Sequence, residues 1–117
     1  MTVEADLKAL LALDCPRTFP DFAPVGTTRP YVTFQQVGGD AMNYVDDTAP
    51  GIKHGEFQVN VWADNRASAA ALALAIEARL RAATQFQARP ISAPVSDFDA
   101  DVPVYGTRQD FSIHSTR

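Results

Sequence analysis

Residues 55–83 contain the pattern that most narrows what this chain can fold into. In Glu56-Phe57-Gln58-Val59-Asn60-Val61-Trp62-Ala63, the residues Phe57, Val59, Val61 and Ala63 alternate with Gln58, Asn60 and Trp62. A period of two belongs to a strand with one buried face, and Phe, Val and Trp suit a pleated surface. Asp64-Asn65-Arg66 follows, and then Ala67 to Ala83 runs without Gly or Pro. There Ala69, Leu72, Ala73, Ile76, Leu80 and Ala83 fall on one helical stripe, and Asp64, Asn65 or Ser68 supplies the cap. The predicted unit is a strand, a short turn and a helix that folds back over the strand. A lone strand is not stable, so the rest of the chain has to complete the sheet.

The flanking segments are read in the same way. Val3, Leu7, Leu10 and Leu11 share one face and predict a helix over 3–13, ended by Cys15-Pro16 because proline disfavours helical backbone in the residue before it. Thr2 and Ala5 do not make a capping box, so the start of this helix is loosely specified. Cys15 reads as a small apolar residue at a helix end. Residues 16–30, with Pro16, Pro20, Pro24, Gly26 and Pro30, form a long connection pinned to the core by Phe19, Phe22 and Val25. Tyr31 to Val37 reads as a strand. Residues 38–54 read as a long loop between two antiparallel strands, a kind of segment that is often functional. The apolar residues in it, Met42, Tyr44, Val45 and Ile52, are candidates for partner contact. Gln87 to Val95 reads as an edge strand interrupted by Pro90 and Pro94, and 96–103 as an Asp-rich turn. In the last strand, Val104 to Ser115, one face carries Tyr105, Thr107, Gln109, Phe111 and Ile113. The other carries Arg108, Asp110, Ser112 and His114. The expected architecture is α+β: an antiparallel four-stranded sheet with two helices packed on one face, in the order α-β-β-α-β-β, within a single domain spanning 1–117.

Charge and composition exclude several functions. A net charge of -4 gives no general attraction for polyphosphate, so specific nucleic-acid binding is disfavoured. No apolar run approaches the ~20 residues of a membrane span, and the start lacks a positively charged leader pattern. One cysteine leaves no internal disulfide and no cysteine metal cluster; a cytoplasmic origin is the simple reading. Asp97, Asp99 and Asp101 open like a calcium loop, but Val102 and Arg108 stand where that loop needs Gly and a bidentate Glu. Gly38-Gly39 lacks the helix and the Lys-Ser/Thr of a phosphate loop. His54 and His114 are the only histidines, without the spacing of a zinc site. Asp110 and His114 share a face but lie roughly 13 Å apart along a strand. No cofactor, metal site or catalytic group is therefore expected. The polar sheet face, with Gln58, Asn60, Trp62, Arg108 and Asp110, mixes aromatic, amide and arginine side chains as protein interfaces do. It is equally consistent with a solvated sheet surface carrying one aromatic.

Pro30-Tyr31-Val32-Thr33-Phe34-Gln35, the alternating run Glu56 to Ala63, and the helix Ala67 to Leu80 with its Ala-Leu-Ala-x-x-Ile-x-x-x-Leu layout together resemble a known family. The leading helix with Leu10-Leu11 and the strand from Tyr105 to Ile113 agree with it. It is the family of small tail-completion proteins of long-tailed bacteriophages and prophages, which includes tail-terminator and head–tail joining components. The resemblance covers most of the chain and carries fold rather than catalytic residues. It implies a virion assembly protein, present in the host cytoplasm during assembly. Such proteins form a ring of six on the tail tube protein and offer a surface to the head connector protein. The isolated chain would be either a monomer or already a homo-oligomer. Two rival readings come from the residues alone: a small cytoplasmic ligand-binding α+β module that holds its ligand between sheet and helix, and an enzyme using His54 or His114.

Overall fold

Two long strands are the spine of the molecule, a computed structural model that describes residues 2–41, 51–100 and 104–116. In chain order the elements are α1 (Val3–Asp14), β1 (Thr18–Pro20), β2 (Tyr31–Gly38), β3 (Ile52–Ala63), α2 (Arg66–Arg81), β4 (Gln87–Pro90), β5 (Val95–Asp99) and β6 (Val104–Thr116). β3 and β6 pair antiparallel over their whole length, from Ile52 opposite Thr116 to Ala63 opposite Tyr105. β2 pairs antiparallel with the other edge of β3, and β1 lies parallel to β2. β4 and β5 lie one after the other along the outer edge of β6.

The sheet is therefore six-stranded and mixed, which corrects the expected antiparallel four-stranded sheet, although α+β holds. Both extra strands come from segments without a period-two signal. β1 has only three residues and includes Pro20, too few to show a pattern. It is held by neighbours: Val32 N–H donates to Arg17 O at 2.9 Å and Asp21 N–H to Phe34 O at 2.8 Å. The segment expected as one edge strand and an acidic turn is two strands. β4 ends at Pro90, Ile91 N–H donates to Asp110 O at 2.9 Å, and the chain re-pairs with β6 from Val95. A strand needs a free partner edge more than it needs an intrinsic preference. For the same reason β3 begins at Ile52, so residues 52–54, expected in the loop, belong to the sheet.

Alternation decides which face is buried. Phe57, Val59, Val61 and Ala63 of β3, Val32 and Phe34 of β2 and Phe111 and Ile113 of β6 are buried together with Leu7, Leu11, Ala69, Ala73, Ile76 and Leu80 from the helices. Both helices thus lie on one face of the sheet, as expected. The small side chains of Ala69 and Ala73 let α2 approach closely. Gln109 is buried on this face, where its amide donates to Glu77 Oε1 at 2.7 Å and to Ser92 O at 2.8 Å.

The helix starts are capped locally. Asn65 takes the cap of α2, accepting from Ser68 N–H at 2.8 Å. Thr2 Oγ1 accepts from Ala5 N–H at 3.1 Å, so α1 has a cap without a capping box. Arg79 Nε donates to Asp14 Oδ2 at 2.7 Å and ties the helices together. That carboxylate raises the Arg79 pKa above its ordinary value, first by hydrogen bonding and then by charge. Segment 16–30 is pinned differently from expectation. Phe22 and Val25 point outward, 76% and 106% exposed, because Asp21 at φ 67° and the turn closed by Thr27 N–H on Pro24 O redirect the chain. Polar contacts hold it instead: Thr18 Oγ1 donates to Cys15 O at 2.6 Å and Arg17 Nε to Pro30 O at 2.9 Å. Buried Cys15 sits beneath them.

Candidate functional site

With both helices on one side, the even-numbered residues of β3 and β6 form the other face. The register places Gln58 opposite Asp110, Asn60 opposite Arg108 and Trp62 opposite Gly106. On the β2 side Gln35 faces Gln58, Thr33 faces Asn60 and Tyr31 faces Trp62. Five of the residues singled out from sequence, Gln58, Asn60, Trp62, Arg108 and Asp110, thus lie side by side in three successive rows. Ile52 has the same parity and is 53% exposed, but it stands ten residues along β3 from Trp62, roughly 33 Å at ~3.3 Å per residue. Met42, Tyr44 and Val45 lie outside the described residues.

Each row has its own chemistry. A Cβ on Gly106 would come within 2.7 Å of the Trp62 ring, so glycine is required there for the indole to lie across β6. In the next row Arg108 is exposed, and Asn60 Nδ2 reaches back to Gln58 Oε1 at 3.4 Å. In the Gln58 row, Asp110 Oδ1 is buried and has no hydrogen-bond partner among the described residues. Such an atom costs folding free energy, because its hydration is lost and not replaced. The face thus combines a half-buried indole, two amides bonded to each other, an exposed guanidinium and a carboxylate with one oxygen unpartnered among the described residues.

A second cluster was missed from sequence because His54 was assigned to a loop. Its even position continues the period of β3 and was the available signal. His54 lies opposite His114, with ring centroids 4.5 Å apart in a stacked arrangement. Asp40 N–H donates to His54 Nδ1 at 3.0 Å, and His54 Nε2 lies 2.7 Å from Ser112 Oγ. Asp40 Oδ2 also lies 3.4 Å from Nδ1. With its proton on Nε2 the ring donates to Ser112, and with its proton on Nδ1, facing the Asp40 carboxylate, it accepts from Ser112.

The space between α2 and the sheet, where a binding module would hold its ligand, is filled by Val59, Val61, Ala73, Ile76 and Phe111, leaving a cavity of about 0 Å³. Small-molecule sites usually measure about 300–1,000 Å³. Among the described residues, no group of three or more His, Cys, Asp or Glu is placed to hold a metal ion. No helix there is long and apolar enough to cross a membrane.

No curated protein matches this chain. A family model described as Tail completion protein gp17 matches residues 2–114, nearly the whole length and every element placed above except the last two residues of β6. The chain therefore belongs to this family of phage tail completion proteins, structural components of the virion that act in tail assembly.

Proposed function

We propose that this protein closes the end of the phage tail tube as a ring of copies, six in the resembling assemblies, and presents that end to the head connector protein. The observation that carries the reading is the open sheet face, where Gln58 with Asp110, Asn60 with Arg108 and Trp62 with Gly106 stand in register. In a ring two different patches of each subunit meet. The open face is one, and Ile52 with Met42, Tyr44 and Val45 belongs to the other. The tail tube protein and the head connector protein are the partners, and the copies meet them in the host cytoplasm before the virion is complete. The 117 residues act as one domain and without a reactive centre. An acidic ring needs no affinity for the DNA it surrounds, since basic residues are what create that affinity.

The test is growth of purified tail tubes with and without the protein, followed by electron microscopy of tube lengths. Added protein should arrest growth and leave a ring at one end. The Asn60→Ala/Trp62→Ala variant, which changes only the open face, should leave tubes growing. Tubes that lengthen unchecked with the unaltered protein would overturn the reading.

A further inference from the structure

Two clefts meet where β4 flanks the end of β6, and they share Gln87 and His114. One, of about 310 Å³, is lined by Arg81, Gln87, Ala88, Arg89, Ser112 and His114. The other, of about 410 Å³, is lined among others by Ile52, Ala83 and Phe86. The first cleft is a set of donors. Arg89 and Arg81 are exposed, and Arg81 has only a long 3.5 Å contact with Glu77, itself engaged by Gln109 at 2.7 Å. Ser112 Oγ, 2.7 Å from His54 Nε2, adds a hydroxyl to the same cleft. Among the described residues no carboxylate lines either cleft: Glu56, beside Ser112 in the sheet, turns its carboxylate towards Gly38.

We propose that this double cleft binds the Asp97-Phe98-Asp99 segment of a second copy of the chain. β5 carries that segment at the opposite end of β6: Phe98 lies opposite Tyr105, whereas the cleft residue is His114, nine positions and roughly 30 Å further along. Phe98 is 51% exposed, and its ring lies 5.0 Å from that of Tyr105 in a tilted arrangement. In β5 the side chains of Asp97 and Asp99 lie on one face and that of Phe98 on the other, with Asp97 Oδ1 accepting from Phe98 N–H at 2.9 Å. The segment thus offers acidic groups on one side and an aromatic on the other, complementing a cationic cleft that adjoins an apolar one. Knob and cleft at opposite ends of one strand make a heterologous, head-to-tail contact. The inference rests on the reading that copies of this chain assemble, and it adds one contact between copies to those of the open face.

The experiment titrates a labelled peptide of residues 94–100 into the full-length protein and follows fluorescence anisotropy. Binding should saturate, fall roughly tenfold in affinity with Arg81→Gln/Arg89→Gln, and fall similarly with a Phe98→Ala peptide, about the loss expected when one strong contact is removed. The arginines are exposed, so the double variant should keep the circular dichroism melting curve of the parent. Lack of saturation, or affinity unchanged in the arginine variant, would overturn the proposal. So would equal affinity for the Phe98→Ala peptide with inorganic phosphate competing for the site, since the cleft would then be a plain anion site. Tube arrest by the unaltered protein without peptide binding would sink this contact alone, and peptide binding without tube arrest would sink the tail-closing role alone.

Discussion

Asp110 sets the sharpest question at the scale of single residues. Its Oδ1 is buried without a partner among the described residues, while its own backbone N–H is only weakly engaged, with Ser92 Oγ at 3.4 Å. Burying a charged oxygen unpaired costs more than burying a neutral amide. We therefore expect Asp110→Asn to raise stability by about 1 kcal/mol in urea unfolding, and to weaken tube arrest if the carboxylate meets a donor on a partner. A lower urea midpoint would show that the carboxylate is satisfied within the chain. Gln58, Asn60, Trp62 and Arg108 were legible as one face because a strand's side chains alternate strictly. The role of His54 was not legible, since it depends on Asp40, His114 and Ser112, which are brought together only by the fold.

At the scale of elements, local signals explain the helices and fail for the short strands. α2 carries its own start, in Asn65 accepting from Ser68 N–H, and its own apolar stripe. Removing that cap with Asn65→Ala should cost about 1 kcal/mol, readable as a lower thermal midpoint with an unchanged folded spectrum. An unchanged midpoint would mean that packing of Ala69, Ala73, Ile76 and Leu80 alone secures the first turn. Arg66 fastens the same end of the helix to the sheet, donating to Gly106 O at 2.5 Å and Asp97 O at 2.7 Å. β1 and β5 have no comparable internal signature. Thr18-Phe19-Pro20 becomes a strand only because β2 offers it an open edge. Val95–Asp99 does so because the outer edge of β6 is free beyond Asp110.

At the scale of the whole molecule, placing both helices on one side leaves an uncovered face, and Trp62 reports on it. It is the chain's only tryptophan, so its emission should move to shorter wavelength when tail tubes are added, as the half-exposed indole loses water. Emission that stays put while tubes are arrested would place the contact elsewhere on the surface. The sequence by itself determined the β3–α2 unit, the alternation that separates core from polar face, and an acidic chain with no metal-ligand spacing, because these follow from periods and residue types along a short stretch. Only the tertiary structure decided the six-stranded mixed sheet, the outward turn of Phe22 and Val25, the His54–Ser112 alignment and the double cleft at the end of β6. Each of those depends on which edge or side chain a distant segment meets, and that is set by packing across the molecule rather than by neighbours along the chain.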